Sequence, residues 1–511
     1  MNRDFFCERR LGFGPSIDDD PIKDPRNWAV NQIKKIPNLG YFASNSGNFI
    51  ENCTNNIENL SILIGDKTVP VNMLIREDAK VPETIEQAVV LHTKNRLERE
   101  RIRKLTKTMS SNDYKSFEHR NVNVPFYEAP KWAESTLRAS SCIFGESPVF
   151  NRFWLFWCNH FTTSMLGIDT YHFVGHHHRT IRNSLTGNFE DLLYKAIAHP
   201  AMLVYLDNVT STGPNSKLAN DKNYTKKEGL NENLGRELLE LHSVSPLANY
   251  TQKDVHETAL LLTGWKYFDG TWKRPPADAR IGLYFEHYRH EPGTRHVMGK
   301  TYFQTDNGHE QLRALIKDLA NHPKTANFIS YKLARSFISD NPPQSAIEKI
   351  SFAFKKKGGN LPAIHEAVID ATLEHGPNYE KFLQPEIWLY QAHKFLRLDL
   401  RNGSPRKINS NNHYNILREL GQPIYECTQP NGWSELKEDW ISKEYIDRRA
   451  RAANLLALWS EEKNQYTSEA LIKFTNKLSP ENLTLSKIAK RAESRVIAIA
   501  TLLASPQFMK V

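Results

Sequence analysis

This chain of 511 residues has few long apolar segments and few cysteines. Its longest late apolar segment, residues 496–504, is far shorter than the roughly 20 residues that a membrane-spanning helix needs. The five cysteines are scattered and form no Cys-x-x-Cys pair, which argues against a disulfide framework and a cysteine zinc site. These absences favour a soluble protein that is held together by its apolar core.

The motifs of the commonest hydrolases and nucleotide-binding proteins are also missing. Neither His-Glu-x-x-His nor Gly-x-Ser-x-Gly occurs in the sequence. Residues 293–301 resemble a phosphate-binding loop, but five residues separate the two glycines where four are required. The sequence therefore argues against zinc-protease, serine-hydrolase and P-loop chemistry.

Charge of one sign does not dominate, because 67 basic residues accompany 58 acidic ones and the net charge is +9. The densest basic run, residues 94–107, is interrupted by Glu98 and Glu100 and has apolar residues at helical spacing. We therefore expect a solvated helix face there. Contact with nucleic acid or acidic lipid is the less favoured alternative.

The N-terminus carries charges where a signal peptide would be apolar. We therefore expect no Sec signal, and either a cytoplasmic chain or a mature form whose leader has been removed.

Apolar residues at helical spacing are abundant. Phe150, Phe153, Trp154, Trp157 and Phe161 form one broad stripe, which predicts a helix that is buried on most sides. Further helices are predicted from Pro82 onward and at residues 188–199, 231–242, 252–263, 309–320, 323–339, 345–357, 361–373, 385–396, 444–460 and 485–504.

Residues 265–303 break this pattern, because they combine aromatic residues with turn pairs such as Pro275-Pro276 and Pro292-Gly293. The sequence thus predicts a mainly α fold: a large multi-helix globular body with a small irregular or β-hairpin lobe. We expect a single helical domain, with an N-terminal helical region at 1–120, a core at 121–335 that contains the lobe, and a C-terminal helical region at 336–511.

The most informative stretch is 231–242, Asn-Glu-Asn-Leu-Gly-Arg-Glu-Leu-Leu-Glu-Leu-His, which leads into a second helix that ends near Trp265. On an α-helix, Asn233, Glu237 and Glu240 share one face. His242 lies about 200° around the helix from Glu240, so these two side chains cannot be adjacent ligands on one helix.

Shorter motifs accompany this stretch in a fixed order. They occur at residues 10–15 (Arg-Leu-Gly-Phe-Gly-Pro), 153–161, 199–208, 290–295 (His-Glu-Pro-Gly-Thr-Arg), 322–325, 421–422, 431–433 (Asn-Gly-Trp), 440–442 and 505–508. Together they resemble the bacterial "domain of unknown function 1800" family over nearly the whole chain. The chain departs from the family pattern at Gly235, usually alanine, at Glu291, usually aspartate, and at Arg295, usually lysine.

The resemblance implies a mainly helical fold but no established reaction. Many relatives look exported and stand beside a phosphatase-like family, so the resemblance implies a phosphatase-like candidate partner and keeps export open.

Two interpretations of the polar residues remain open. In the structural interpretation, Arg236 and Glu240 form an ordinary helix pair, and Glu237 binds an arginine such as Arg152, Arg179 or Arg182.

The functional interpretation is an enzyme with a buried Glu/His site for hydrolytic or transfer chemistry. Its candidate catalytic residues, which are also candidate ligands of a divalent metal, are Glu237, Glu240, His160 and His290. The candidate binding residues are Asn159, Asn233, Arg236, Arg295, with Arg295 as an anion clamp, and Trp265. The alternative function is a non-catalytic binding or scaffold protein of an envelope or secreted system.

Two other features have both a functional and a structural interpretation. The tract His176-His-His178 could bind a metal or form a cationic rim, but exposed histidines at a helix start are the expected arrangement. Trp265, Trp433 and Trp440 could line a cleft by stacking, although anchoring of loops is the commoner role.

Overall fold

The structure of the protein is a computed structural model. The structure describes residues 3–17, 19–20, 22–37, 61–64, 67–70, 82, 84–105, 129–165, 171–224, 228–271, 279–304, 308–378, 380–398, 400, 412–462, 468–478 and 484–511.

Helices form most of the described chain, as predicted. The N-terminal half contains α1 (Arg3–Leu11), α2 (Pro25–Gln32), α3 (Ile85–Leu105), α4 (Ala129–Phe144), α5 (Pro148–His160), α6 (Tyr171–Ser184), α7 (Phe189–Ile197), α8 (Pro200–Tyr205), α9 (Asn233–Glu240) and α10 (Gln252–Leu262). The C-terminal half contains α11 (His309–Ala320), α12 (Pro323–Phe337), α13 (Gln344–Lys356), α14 (Leu361–His375), α15 (Pro385–Phe395), α16 (His413–Glu419), α17 (Lys443–Glu462), α18 (Ser468–Leu478), α19 (Thr484–Arg491), α20 (Arg495–Leu503) and α21 (Pro506–Met509).

Three antiparallel hairpins accompany these helices. They are β1 (Ser61–Ile64) with β2 (Lys67–Pro70), β3 (Trp265–Phe268) with β4 (Gly282–Phe285), and β5 (Arg295–Val297) with β6 (Lys300–Tyr302). Trp265 pairs with Phe285, and Arg295 pairs with Tyr302. The second and third hairpins form the small lobe predicted near residues 265–303, so the predicted fold class is confirmed.

Helix boundaries follow local capping chemistry. Helix α10 begins with a capping box, in which the side chains of Thr251 and Asp254 each accept a hydrogen bond from the other's backbone N–H. Pro323 opens α12 directly after His322, whose ring accepts from the Lys324 N–H.

One predicted boundary was wrong. The helix expected at 485–504 is two helices, α19 and α20, because Ser494 has extended backbone angles and its side chain caps α20 by accepting from the Ile497 N–H.

Two apolar clusters form the core of the described chain. One draws mainly on α5, α7, α9, α11, α12 and α14, and the other mainly on α15, α17, α20 and the C-terminus. Helix α1 contributes to both clusters, with Cys7 in the first and Phe5 in the second. Among the described helices, none combines the length and apolar character required to cross a lipid bilayer.

Candidate functional site

A cleft of about 430 Å³ lies between the end of α5, helix α12 and the loop at residues 431–436. We call it the outer cleft. Its lining includes aromatic, basic and acidic side chains: Phe156, Asn159, His160, Leu241, Phe328, Tyr331, Lys332, Arg335, Asn431, Gly432, Trp433, Ser434, Glu435, Leu436 and Asp439. Its volume is in the range of ordinary ligand pockets, roughly 300–1,000 Å³.

Asn159 holds the 431–436 loop against α5. Its amide donates to the Trp433 carbonyl at 2.9 Å, and its side-chain oxygen accepts from the Trp433 N–H at 2.8 Å. Gly432 has a φ of 80°, and a Cβ at this position would lie 2.4 Å from the Asn159 carbonyl oxygen. The close contact therefore requires glycine. Asn159, a predicted binding residue, is one wall of the cleft.

His160 and Lys332 form a polar pair in the cleft. Lys332 Nζ lies 2.9 Å from His160 Nδ1, and His160 Nε2 lies 3.4 Å from the His242 carbonyl oxygen. These neighbours are consistent with a neutral imidazole that accepts from the lysine and carries its proton on Nε2. A proton of the Lys332 amine thus lies between Lys332 Nζ and His160 Nδ1.

Burial and neighbouring charges set the proton affinity of this pair. Burial lowers the pKa of Lys332 to about 8, with Arg335 acting in the same direction and Glu435 against it. The pKa of His160 lies well below its usual value because the ring is buried and close to Lys332. A lysine with a pKa near 8 exists in both protonation states close to neutral pH, as acid–base catalysis requires.

His242 connects the 231–242 stretch to this pair. Its ring is fully buried and lies 5.8 Å from the His160 ring, and neither nitrogen has a hydrogen-bond partner in the described part of the chain. Burial lowers the pKa of His242 to about 3. The stretch therefore reaches the cleft through Leu241, which lines it, and contacts His160 through the carbonyl and ring of His242.

Other polar groups of the cleft lack hydrogen-bond partners. A buried carboxylate oxygen of Glu435 accepts no hydrogen bond from any described residue, although it lies 3.5 Å from Arg335 Nε. The indole N–H of Trp433 is also without an acceptor. Because unsatisfied buried groups are costly, they indicate a place where a ligand or water is accommodated.

Glu237 and Glu240 lie together on α9 but are not among the lining residues of the cleft. Glu237 is half-buried, and its pKa is raised by burial and by the charge of Glu240. Glu240 accepts a hydrogen bond from the Tyr250 hydroxyl at 3.2 Å.

The ion pairs that the structural interpretation gave to Glu237 and Glu240 were wrong. Arg236 binds Glu232 and Gln252 rather than Glu240. Arg179 forms an ion pair with Glu134 rather than with Glu237. Asn233, a predicted binding residue, is exposed at the start of α9, and its backbone N–H is held by Asn231.

The 290–295 motif fixes loops of the lobe. His290 Nδ1 lies 2.8 Å from the Thr263 carbonyl oxygen, and the Glu291 carboxylate accepts from the backbone and side chain of Asn215. Arg295 donates to the carbonyls of Pro292 and Gly293.

The four candidate metal ligands do not form a common set. No hydrogen bond or ion pair joins His160 or His290 to Glu237 or Glu240. Within the ranges that the structure describes, no group of three or more His, Cys, Asp or Glu residues is arranged to hold a metal ion.

The three tryptophans have different environments. Trp265 is buried beside Tyr194, Phe285 and His309, and Trp440 is buried with its N–H bound to the Ser434 carbonyl. Trp433 is partly exposed and lines the cleft.

The expectation of exposed histidines at a helix start was wrong for residues 176–178. They lie in the middle of α6 and are buried, with His176 Nδ1 at 2.9 Å from His199 Nε2. Burial lowers the pKa of His177 to about 3 and holds that of His178 well below the usual value, so these two rings are neutral and do not add to a cationic rim.

Sequence reasoning missed Lys332, Arg335 and Glu435. Lys332 and Arg335 lie three residues apart on a correctly predicted helix, so their common face could have been read from the sequence. Glu435 follows the Asn-Gly-Trp motif by two residues, but nothing local indicates that it is buried.

Comparisons with known proteins place the chain in a family. The family described as "Protein of unknown function (DUF1800)" matches residues 9–510, which is nearly the whole chain. No curated protein matched the chain, and no solved structure matched it. The chain is therefore a member of the DUF1800 family.

Proposed function

We propose that the protein is an enzyme whose chemistry takes place in the outer cleft, with Lys332 as the group that takes up and releases a proton. The observation that carries this proposal is the 2.9 Å contact between Lys332 Nζ and His160 Nδ1 within a cleft of ligand size. The class that fits a basic amine beside a neutral imidazole is hydrolytic or transfer chemistry by general acid–base catalysis.

In this proposal the residues that line the cleft have different roles. His160 holds the lysine amine through Nδ1 and is itself oriented by the His242 carbonyl. Trp433 and Tyr331 provide flat surfaces for the body of a substrate. Arg335, which lies beside Glu435, provides positive charge at the same wall.

Glu237 stays a candidate for a second acid. Its raised pKa is typical of functional carboxylates, and the neighbouring Leu241 lines the cleft. A divalent metal held by Glu237, Glu240, His160 and His290 is less favoured, because no hydrogen bond or ion pair connects the histidines to the glutamates.

The experiment measures the proton affinity of Lys332 directly. The full chain is labelled with a trace of acetic anhydride between pH 6 and 11, and the acetylation of each lysine is quantified by mass spectrometry. We expect a midpoint near pH 8 for Lys332, while Lys324, which is exposed on the same helix, serves as the internal reference.

Two variants test the cause of this shift. Arg335→Gln removes a repelling charge and should raise the midpoint, whereas Glu435→Gln removes an attracting charge and should lower it. A midpoint near that of an ordinary lysine, about 10.4, in the unchanged protein would refute the acid–base role.

A binding or scaffold protein without catalysis is the second candidate. It is supported by polar motif residues that mainly bind one another, as Glu232 does with Gln252 and His256. A phosphatase-like partner rests on the resemblance alone. This candidate predicts that Lys332→Met and Glu237→Gln change only the melting temperature.

A further inference from the structure

A second, smaller cavity adjoins the outer cleft. We call it the inner cavity, and it shares Phe156, Asn159, Trp433 and Glu435 with the outer cleft. Its volume is about 30 Å³. Since roughly 10–15 Å³ accommodates one water-sized group, the inner cavity has room for about two such groups.

Two buried arginines line the inner cavity, and only one of them has an anionic partner. Arg138 binds the Glu386 carboxylate through two hydrogen bonds of 2.6 and 2.9 Å. Arg152 is only 5% exposed, and among the described residues it makes no hydrogen bond or ion pair and its buried Nε has no partner. Its guanidinium lies over the rings of Phe13 and Phe337, at 5.9 and 5.3 Å from their centroids.

An unpaired buried charge is costly, and the other groups of the inner cavity do not compensate it at contact distance. Burial raises the pKa of Cys158 to about 12 and also raises that of Cys427, so both thiols are neutral. Burial keeps His178 neutral as well. Arg152 itself remains protonated at neutral pH, because burial lowers its pKa only to about 10.

Glu435 is the remaining acid, and its contact is with Arg335 rather than with Arg152. Its charge acts on Arg152 only from beyond ion-pair distance. Arg152 therefore lines a small polar cavity and has a donor, Nε, that no described residue accepts from.

We propose that Arg152 binds the carboxylate of a small organic acid whose body occupies the outer cleft. This proposal rests on the proposed function and names its substrate class. An arginine can bind both oxygens of a carboxylate, and two water-sized positions match those two oxygens better than the larger head of a phosphate. The aromatic side chains Phe328, Tyr331 and Trp433 would contact an apolar or aromatic body.

The test uses acetate and benzoate as probes of the full chain, with sodium chloride at the same ionic strength as the reference. Inorganic phosphate is a further arm. We expect benzoate, and more weakly acetate, to raise the melting temperature and to bind in titration calorimetry. Arg152→Gln should weaken benzoate binding at least tenfold.

Arg182 is the matched control. It is 1% exposed and lies over the rings of Phe150 and Trp154, but it lines neither the outer cleft nor the inner cavity. Arg182→Gln should lower the melting temperature and leave the benzoate response unchanged. If Arg152→Gln does not fold, Arg152→Lys keeps the charge but loses the two-pronged donor, and benzoate should again bind more weakly.

Several results would overturn the proposal. They are no carboxylate response beyond that of chloride, a response to phosphate alone, or equal benzoate affinity in the Arg152 variants and the unchanged protein. Acetylation of Lys332 is measured without these probes. An ordinary Lys332 midpoint with Arg152-dependent benzoate binding would reject the acid–base role alone, and the reverse result would reject the carboxylate site alone.

Discussion

Helix α9 and the outer cleft both carry charged residues, but the polar groups around α9 are mostly hydrogen-bonded, whereas several of those in the cleft are not. Around α9, Glu232 binds Arg236, Gln252 and His256, so most of the polar groups that stand out in the sequence are paired near the surface. In the outer cleft and the inner cavity, Glu435 and Arg152 keep buried polar atoms without hydrogen bonds.

An unsatisfied buried group points to a site only where it also lines a cavity, because Arg182 has unsatisfied buried atoms but lines neither the outer cleft nor the inner cavity. A paired group near the surface stabilises a helix end by a modest amount, whereas an unsatisfied buried group costs free energy unless a ligand or water binds it. The outer cleft and inner cavity are therefore stronger candidates for a site than the polar face of α9, with the half-buried Glu237 as the exception.

The largest expected effect is a loss of the free energy of unfolding at acidic pH, which arises from buried histidines of the interior. Burial lowers the pKa of a set of interior histidines, with values of about 3 for His172, His177, His242, His365 and His413. Their unfolded value is near 6.5, so the unfolded chain binds more protons between these limits. Stability should be complete above pH 6.5 and should fall as the pH decreases below it.

Each such histidine contributes a slope of up to about 1.4 kcal/mol per pH unit, so the five together give up to about 7 kcal/mol per unit. We expect urea unfolding at pH 7.5, 6.5 and 5.5 to show a steep loss of the free energy of unfolding at the lowest pH. His242→Phe removes one titrating ring and should reduce the slope by about one proton. A free energy of unfolding that is constant from pH 7.5 to 5.5 would contradict this assignment.

The same contrast explains how much the sequence could predict. Capping residues, prolines and apolar spacing are local signals, so helices such as α11 and the lobe at 265–303 were predicted correctly. The Asn159 and His160 pair was also selected, because polar residues at the end of an aromatic helix are conspicuous.

The rest depends on contacts between distant segments. Lys332 is 172 residues from His160, and Trp433 is 274 residues from Asn159. Whether Arg152 is paired or unpaired depends on side chains from several helices and a loop. Burial of the 176–178 histidines is likewise set by packing, because their composition alone suggested solvent.

The next largest effect is expected for a substitution of Gly432, whose loop forms one side of the outer cleft. In Gly432→Ala the new Cβ would lie 2.4 Å from the Asn159 carbonyl oxygen, so the 431–436 loop must shift away from α5. Gly299→Ala is the control, since its φ of 77° is close to the 80° of Gly432 but nothing lies within 4 Å of its Cβ.

Both variants pay the left-handed backbone strain of about 1–2 kcal/mol. In urea unfolding we expect the free energy of unfolding of Gly432→Ala to be about 2 kcal/mol lower than that of Gly299→Ala, within the usual range for strained buried contacts. We also expect Gly432→Ala to lose benzoate binding. Equal losses in the two variants would mean that the loop adapts without cost.

Neighbouring residues on α9 should give the smallest effects and sharpen the comparison within the helix itself. At Gly235, a Cβ would lie 2.9 Å from the Ala259 backbone nitrogen and 3.1 Å from the Val255 carbonyl oxygen, so α9 packs closely on α10. Alanine gains up to about 1 kcal/mol in helix propensity, but the backbone contact should outweigh this gain and leave Gly235→Ala destabilised by about 1 kcal/mol.

Arg236→Ala removes only the partly exposed contacts to Glu232 and Gln252 and should cost about 0.5 kcal/mol or less. Urea unfolding of both variants at pH 7.5 ranks them, and a larger loss for Arg236→Ala would show that the polar face, rather than close helix packing, stabilises α9.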